Sequence, residues 1–466
     1  MVASMAHVLV LPFPVQGHIN PMLQFAKRLA SQALIKVTLV TTVFLSNHMH
    51  VDLRDLPPSL DLDAISDGYD QGGFSEASGP KAYHHRFETV GSRTLARLIE
   101  RQQQGDEKRI PFTCIVYDTS LHWALDVAKA LGLHGVAFST QSCAAFAVYY
   151  YVYLRRLMLP DLPGSSSNIY VPGLPPLALH DLPSLVFEVG SYQPILAMKL
   201  KQFSNLHKAD CILFNTIEDL EAEVLNRLRG VWRIKAIGPT IPTRYLNECA
   251  TGDRDYGLHY YKPSTGLNYM EWLEGKPPGS VVYVSFGSIA TVGAEQMEEL
   301  AWGLRDSGKH FLWVVRASEE AKLPKEFAEG RDQCHKGLVV TWCCQMEVLA
   351  HQAVGCFVTH CGWNSVMEAL AMGVPILGLP LWTDQPINAK YAEDVWEVGL
   401  RARPDKDGVV RREEIEFCIK EVIHGKRGKD MKNKASKMRQ LIKEAASEGG
   451  SSNTDMEEFV KELINE

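Results

Sequence analysis

Residues 342–385 read WCCQMEVLAHQAVGCFVTHCGWNSVMEALAMGVPILGLPLWTDQ, and they indicate the architecture more clearly than any other part of the chain. Two apolar runs, Cys356–His360 and Val374–Pro380, have the length of strands, and the segment between them has helical spacing. Strands that alternate with helices form parallel sheets, and such sheets bind ligands beyond the carboxyl ends of their strands. Trp342 and His360 stand at such ends, so the stretch predicts both an α/β fold and a binding site.

The same alternation extends outward in both directions. A near-continuous apolar run at 7–14 predicts a buried strand, and Asn20-Pro21 predicts the start of the following helix, as an N-cap with proline in the first turn. Further along, 112–118 is a strand that ends in Asp118, and 280–288 opens a second series of strands and helices. The pattern predicts an α/β protein with two facing doubly wound Rossmann-like domains and an interdomain cleft.

The domain boundaries follow from a change in composition. Residues 243–269 are polar and lack periodicity, so we interpret them as a linker between a domain at 1–242 and another at 270–450. A final helix at 451–466 carries apolar residues at helical spacing, and this apolar face must be buried against other parts of the protein. We expect the helix to pack on the first domain. These apolar residues are Met456, Phe459, Val460 and Leu463.

Composition narrows the classes of function. The 466 residues carry a net charge of −7, which argues against nucleic acid or an anionic membrane as a partner. The apolar run near the start is too short to span a bilayer, so no membrane insertion is expected. Ten cysteines follow no disulfide or zinc spacing, which favours a reduced, cytoplasmic protein without a metal. A monomer is expected.

The second domain offers groups for a nucleotide and a sugar. After His360, the turn Cys361-Gly362 leads into a helix whose free amides can hold a diphosphate without a metal, while His360 adds a donor. Glu368 lies one turn further along and can accept the ribose hydroxyls. Trp342 offers a flat face for a base, and Asp384 with Gln385 can bind sugar hydroxyls. Each residue alone has an ordinary structural explanation, such as core packing for Trp342; their joint spacing favours a site.

The first domain offers a base. His18 follows the first strand, and histidine is the residue type that most often serves as a general base; Asp118 ends another strand of the same predicted sheet. A carboxylate beside His18 would fix its tautomer and stabilise the imidazolium. A single loop histidine is usually incidental, but here it accompanies a nucleotide-sugar motif.

The stretch 342–385 resembles the donor-binding signature of plant family 1 UDP-dependent glycosyltransferases, which have the GT-B architecture. The similarity extends to GHINP, WALDVAKALGL and TQSCA, and the linker sequence DYGLHYYKP is similar to that of group L, which glucosylates carboxylates and hydroxyls. Two departures are Cys344, where the family usually has proline, and His122, which replaces a common proline. We expect Cys344 to loosen the turn after Trp342.

The resemblance implies roles for individual residues. His18 and Asp118 correspond to the catalytic pair, and Gln385 implies glucose as the donated sugar. The implied donor-binding residues are Thr140, Ser288, Trp342, Cys343, Gln345, His360, Trp363, Asn364, Ser365, Glu368, Asp384 and Gln385. The candidate acceptor-binding residues are Phe13, Pro14, Val15, Gly17, Phe146 and Tyr149; for the aromatic residues after TQSCA, core packing is the alternative.

The expected activity is therefore inverting transfer of glucose from UDP-glucose to a hydroxyl or carboxyl group of a small hydrophobic plant metabolite: a phenolic, a carboxylic acid or a terpenoid. The partners are the UDP-sugar and the small acceptor, with UDP-glucose as co-substrate and no other cofactor. The alternatives are a UDP-sugar sensor without transfer activity and a transferase that uses another UDP-sugar. An oxidoreductase is disfavoured because G-x-G-x-x-G is missing, and a glycosidase because no carboxylate pair is evident.

Overall fold

The computed structural model describes residues 5–51, 56–104, 110–159, 168–187, 193–247, 256, 258–259, 268–328 and 336–465. The described chain divides into two compact units. The first comprises Met1–Leu179, Leu185–Tyr260 and Ala445–Glu466; the second comprises His180–Ser184 and Tyr261–Glu444. Two segments belong to a different unit from the residues that precede them in the sequence. His180–Ser184 belongs to the second unit, and Ala445–Glu466 belongs to the first.

The first unit is built on a parallel sheet of seven strands in the order β4-β2-β1-β5-β6-β7-β8. Strand order reverses on either side of β1, which is the doubly wound arrangement predicted from the sequence. A separate two-stranded antiparallel pair joins β3 and β9. The strands are β1 Ala6–Leu11, β2 Ile35–Thr42, β3 His50–Val51, β4 Leu60–Ile65, β5 Cys114–Asp118, β6 His134–Ser139, β7 Cys211–Phe214, β8 Ile234–Ala236 and β9 Leu258–His259.

The second unit is built on a parallel sheet of six strands in the order β12-β11-β10-β13-β14-β15. Its central strands β10 and β13 run side by side from Val281↔Val354 to Ser285↔Thr359, so their carboxyl ends lie together. The strands are β10 Val281–Ser285, β11 His310–Val314, β12 Gly337–Val340, β13 Val354–Thr359, β14 Ile376–Gly378 and β15 Gly399–Arg401.

The α-helices connect these strands on both faces of the sheets. They are α1 Gln16–Ala30, α2 Val43–His48, α3 Pro80–Gln103, α4 Trp123–Ala130, α5 Cys143–Tyr153, α6 Ser184–Phe187, α7 Gln193–Lys201, α8 Glu218–Arg229, α9 Tyr269–Glu274, α10 Ala294–Asp306, α11 Lys325–Ala328, α12 Gln345–Ala350, α13 Trp363–Met372, α14 Gln385–Lys390, α15 Arg412–His424, α16 Lys426–Ala446 and α17 Ser451–Asn465.

The first helix begins earlier than predicted. It starts at Gln16 rather than after Asn20, because the Val15 carbonyl already accepts the backbone N–H groups of His18 (2.9 Å) and Ile19 (3.0 Å). Pro21 therefore lies inside the helix instead of at its first position. As a result, His18 belongs to the first turn of α1 and not to the preceding loop.

Helix α17 completes the core of the first unit. Its apolar residues Met456, Phe459, Val460 and Leu463 are buried in the same cluster as residues of β1, β2 and α1. The ring of Phe459 lies 6.2 Å from that of Phe25. Polar contacts fix the helix against β8: Asp455 accepts the Ala236 N–H at 2.6 Å, and Lys235 pairs with Glu458 at 2.7 Å.

Candidate active site

His18 and Asp118 form a close pair in the first unit. His18 lies in the first turn of α1, just beyond β1, and Asp118 is the last residue of β5, the neighbouring parallel strand. The Nδ1 atom of His18 lies 2.5 Å from Oδ2 of Asp118. The pair therefore sits at the carboxyl edge of the sheet, where α/β folds bind their ligands.

The Asp118 carboxyl is fully buried, while the His18 side chain keeps 20% of its surface exposed. Burial by itself raises the pKa of Asp118, but the His18 imidazole, the Lys199 charge and the Ser120 N–H donor at 2.8 Å together bring this pKa below its ordinary value. Asp118 is consequently a carboxylate at neutral pH. It favours the tautomer in which Nδ1 of His18 carries the proton and Nε2 has the lone pair of a base.

Thr140 touches the same histidine. It follows the end of β6, and its Oγ1 atom lies 3.0 Å from Nδ1 of His18. The sequence predicted a contact between Thr140 and the donor sugar; that contact stays a prediction, and the described Thr140 hydroxyl lies against the His18 imidazole.

The predicted acceptor residues before His18 are accessible to a ligand. Phe13, Pro14, Val15 and Gly17 are all half-buried. The Phe13 ring lies 5.5 Å from the His18 ring, between centroids, and stacks on the other side against His84 at 5.4 Å. An apolar acceptor group lying on Phe13 would therefore have its reactive oxygen near His18.

The structure buries Phe146 and Tyr149, the two predicted acceptor residues on α5. Both side chains are fully buried, and the Phe146 ring packs against those of Phe203, Phe214 and Trp232 at 5.0, 5.1 and 5.8 Å. The helix is buried from Cys143 to Tyr149, whereas Tyr153 at its end is exposed. This burial favours the alternative of core packing, and a contact of either residue with an acceptor stays a prediction.

Sequence reasoning missed several polar residues near the pair. Lys199, on α7, donates from Nζ to the Ser120 hydroxyl at 3.4 Å. Glu88 lies 3.5 Å from His122 Nε2 and 3.0 Å from Lys201 Nζ. His122 is thus half-buried beside a carboxylate. No motif or periodicity marks Lys199, since α7 has little amphipathic pattern.

In the second unit, three predicted donor residues follow the carboxyl ends of strands in the same parallel sheet. Ser288 follows β10, Trp342 follows β12 and His360 follows β13 directly, and all three are half-buried. Arg316 donates to the carbonyl oxygens of Ser288 and Ala290, which fixes the turn after β10. These strand ends agree with the sequence prediction.

The turn from β13 into α13 is shaped around the His360 ring. Cys361 adopts a left-handed backbone with φ of 63°, and Gly362 caps the helix that begins at Trp363. A Cβ on Gly287 would lie 3.0 Å from the His360 ring, and one on Gly362 only 2.5 Å from Nε2. Glycine at these two positions therefore gives the imidazole room beside the N-terminus of α13, where free amides favour an anion.

His360 is a neutral hydrogen-bonding group. Burial lowers the pKa of His360 to about 4, and the nearby Asp384 charge opposes this only in part. The imidazole then keeps one N–H donor at neutral pH. Together with the amides of α13, which include that of Asn364 in its first turn, it can hold a diphosphate by hydrogen bonds rather than by a cationic side chain.

Gln345, Ser365 and Glu368 are connected by hydrogen bonds. Gln345 donates from Nε2 to Glu368 Oε2 at 2.6 Å and to the Ser365 hydroxyl at 3.0 Å, and its Oε1 accepts from the Tyr283 hydroxyl at 3.1 Å. The contacts join α12 to the first two turns of α13. They orient the Glu368 carboxylate, which is the predicted partner of the ribose.

The other side chains of the donor motif differ in accessibility. Cys343 is buried, its thiol lies 3.5 Å from the Tyr283 hydroxyl, and burial raises the pKa of Cys343 to about 12. Trp363 is also buried, and its ring centroid lies 6.2 Å from that of Trp396. Contacts of these two residues with a ligand would come from their backbone atoms.

The loop after β14 presents Asp384 and Gln385. Oε1 of Gln385 accepts the backbone N–H groups of Leu381 (2.8 Å) and Trp382 (3.0 Å), so the Nε2 amino group carries the remaining donors of that side chain. Asp384 accepts from the Thr383 hydroxyl at 2.9 Å and from Asn388 Nδ2 at 2.8 Å. Both side chains are thus held by contacts within the loop and α14.

Cys344 turns out to have a specific contact. Its backbone N–H donates to the Tyr269 hydroxyl at 3.2 Å, and this hydroxyl in turn donates to Glu347 at 3.3 Å. A proline at this position has no N–H and would leave Tyr269 without that donor. The turn after Trp342 is therefore fastened to α9 through the residue that was expected to loosen it.

The described residues contain neither a metal-binding cluster nor a membrane-spanning helix. In the ranges given above, no group of three His, Cys, Asp or Glu side chains is placed to hold a metal ion. Within the same ranges, no helix is both long and apolar enough to cross a membrane.

Comparisons with known proteins show the family of this chain. Residues 256–441 match the model of the family described as UDP-glucoronosyl and UDP-glucosyl transferase. A flavonol 7-O-beta-glucosyltransferase of Arabidopsis thaliana is 45% identical over 98% of both chains, and an indole-3-acetate beta-glucosyltransferase of Zea mays is 44% identical over 98% of both. The crystal structure of Os79 from O. sativa with UDP is 40% identical, with a TM-score of 0.89 over 98% of this chain and 100% of that one. The chain belongs to the plant UDP-glycosyltransferases of GT-B architecture.

Proposed function

We propose that this enzyme transfers glucose from UDP-glucose to a hydroxyl or carboxyl group of a small hydrophobic plant metabolite, with inversion at the anomeric carbon. The observation that carries the proposal is the 2.5 Å contact between His18 and Asp118, because a binding protein has no use for an oriented base. His18, Asp118 and the predicted acceptor-binding residues before His18 lie in the first unit. Apart from Thr140, the predicted donor-binding residues lie in the second unit.

The reaction is a single displacement. Nε2 of His18 takes the proton of the acceptor hydroxyl as the acceptor oxygen bonds to C1 of glucose, while the bond from C1 to the UDP oxygen breaks. Attack from the side opposite UDP converts an α-linked donor into a β-glucoside. Asp118 stabilises the imidazolium that forms, and the proton leaves His18 to solvent after the product dissociates.

The donor is held by separate groups for each part of UDP-glucose. Trp342 stacks on the uracil, Gln345 and Glu368 bind the ribose, and the amides of α13 with His360, Asn364, Ser365 and Ser288 bind the diphosphate. Asp384 and Gln385 bind the glucose hydroxyls. The negative charge that develops on the leaving UDP is then met by neutral N–H and O–H donors, so the proposal requires no metal.

The relatives name two kinds of acceptor, a flavonol and indole-3-acetate. Lys199 favours the second kind for this chain, because its ammonium group lies 3.4 Å from the Ser120 hydroxyl, beside the catalytic pair. An ionised carboxylate would gain from that charge, and it needs no proton removed at neutral pH. With such acceptors His18 acts mainly by positioning.

The test is an acceptor screen with UDP-glucose, read by UDP release and by mass spectrometry for the gain of one hexose. We expect transfer to matched aryl carboxylates and phenols. Replacing Lys199 by methionine should raise KM for the carboxylate about fivefold and leave the phenol within about twofold. Equal effects on both acceptors would remove Lys199 from acceptor selection. Lys208→Met, at an exposed lysine of the same unit, is the control.

The alternatives predict other results. A UDP-sugar sensor would bind UDP-glucose but release no UDP with any acceptor, and a transferase for another sugar would prefer that donor in a donor panel. Chelation with EDTA should leave activity unchanged, and a loss of activity would contradict the metal-free site.

We also propose that the protein is a monomer and that it resides in a reducing, cytoplasmic environment. The eight described cysteines are free thiols, which supports the reducing environment. Light scattering of the purified protein tests the oligomeric state.

A further inference from the structure

The segment His180–Ser184 belongs to the second unit although it lies within the first half of the sequence. It contacts the loop that carries Asp384 and Gln385. The backbone N–H of Ser184 donates to the Thr383 carbonyl at 2.8 Å, and the Ser184 hydroxyl accepts the Thr383 N–H at 2.8 Å. Both backbone groups of Thr383 are therefore satisfied by one residue.

Thr383 needs such support because of its backbone. Its φ is 57°, in the left-handed region that a β-branched residue rarely adopts without help from its surroundings. This conformation sets the direction of the next two residues. The Thr383 hydroxyl also donates to the Asp384 carboxylate at 2.9 Å. A change at Thr383 would therefore also change the orientation of Asp384, the first of the two proposed sugar-binding side chains.

A second contact holds the segment in place. Asp181 is 1% exposed, and its carboxylate accepts from Arg401 at 2.6 Å and lies 3.4 Å from Lys390 Nζ. Arg401 is in β15, and Lys390 is in α14, the helix that starts at Gln385. Asp181 thus ties the segment to the strand next to β14 and to the helix behind the sugar-binding loop.

We propose that Ser184 is a positioning residue for the donor sugar, which acts by holding Thr383 in its left-handed conformation. The proposal rests on the proposed function, because it assumes that Asp384 and Gln385 bind the glucose of UDP-glucose. Ser184 itself touches no substrate atom. Its effect falls on the sugar and not on the uridine diphosphate, whose proposed binding residues follow β10, β12 and β13 or lie on α12 and α13.

The test is to replace Ser184 by alanine and to measure the binding of UDP-glucose and of UDP by calorimetry, together with KM for UDP-glucose. We expect the Kd and KM of UDP-glucose to rise about tenfold, as for the loss of one buried hydrogen bond, while the Kd of UDP stays within about twofold. Thr383→Gly should give the same split by freeing the loop. It serves as the second variant if Ser184→Ala does not fold.

Ser307→Ala is the matched control. Ser307 is also a buried serine of the second unit, and its hydroxyl also accepts a backbone N–H, that of Lys309. It precedes β11, so it lies at the amino ends of the strands and not at the carboxyl ends, where the loop with Asp384 lies. It should leave both affinities unchanged. The proposal is overturned if the folded variants bind UDP-glucose like the wild type, or if UDP and UDP-glucose weaken together. If the proposed function itself were wrong, the result would be different: the wild type would bind UDP-glucose no more tightly than UDP and would transfer no glucose.

Discussion

His18 and His360 occupy similar but not equivalent places in the two units, since β13 has the position in its sheet that β5, and not β1, has in the first. Each follows a central parallel strand, β1 or β13, next to the N-terminus of the helix that comes after it. Their surroundings differ: His18 contacts the buried carboxylate of Asp118, whereas burial lowers the pKa of His360 to about 4 and Thr359 is the hydrogen-bonding side chain beside it. The end of a central strand thus holds an imidazole in contact with a buried carboxylate in one unit and an imidazole beside a threonine hydroxyl in the other, and this difference is why we propose a base at His18 and a neutral donor at His360.

The largest expected effect is at His18. Replacing His18 by alanine removes the base, so kcat with a phenolic acceptor should fall about a thousandfold. With a carboxylate acceptor, which has no proton to lose, the fall should be about tenfold. Steady-state kinetics with both acceptors measure the difference. His207→Ala, at an exposed histidine of the same unit, is the control, and equal losses with both acceptors would exclude His18 as the base.

Asp118→Asn tests the partner that distinguishes the two histidines. An amide nitrogen facing Nδ1 would favour the tautomer with the proton on Nε2, and the base would be lost while its position is kept. We expect kcat with hydroxyl acceptors to fall about a hundredfold, with KM for UDP-glucose nearly unchanged. Asp126→Asn on α4 is the control. A loss in KM alone would place Asp118 in binding rather than in catalysis.

His360→Gln should have a smaller effect, since glutamine keeps one neutral N–H donor. KM for UDP-glucose should rise about tenfold or less, and kcat should change little. His351→Gln, at the opposite end of β13, provides a control for a histidine outside the site. If kcat instead fell as far as in His18→Ala, His360 would be taking part in proton transfer and the contrast between the two residues would fail.

The smallest expected effect is on the pH dependence of the free energy of unfolding. The pKa of His360 is lowered to about 4 in the folded chain, below the ordinary value of 6.5. Its contribution to the free energy of unfolding is therefore complete above pH 6.5 and is lost as the pH falls from 6.5 to 4, by about 1 kcal/mol per pH unit. Denaturant titrations over this range should show a flatter pH dependence for His360→Gln than for the wild type; parallel curves would contradict the neutral imidazole.

The sequence predicted the elements that depend on local patterns. The strand ends at Trp342 and His360, the apolar stripe of α17 and both doubly wound sheets follow from periodicity and turn residues. The start of α1 was wrong because the Asn20-Pro21 signal is local, while the actual first turn is set by the Val15 carbonyl. Core packing of Phe146 could be weighed but not decided, since it depends on aromatic rings distant in sequence.

Contacts between distant segments had no sequence signal at all. The pairing of Ser184 with Thr383 joins residues 199 positions apart, and the hydrogen bond between Lys199 and Ser120 joins residues 79 apart. Neither pair lies in a recognisable motif. Such contacts follow from the packing of the whole unit, so they become visible only when the fold is known.

The place of α17 in the first unit has a consequence for how the protein is made. Phe25 and the apolar residues around it are synthesised early, but the side chains that cover them, Met456, Phe459, Val460 and Leu463, leave the ribosome hundreds of residues later. The first unit therefore stays unfinished throughout translation of the second, with part of its apolar core open to water. Exposed apolar surface favours aggregation, so the nascent chain carries this liability until Ser451–Asn465 has emerged.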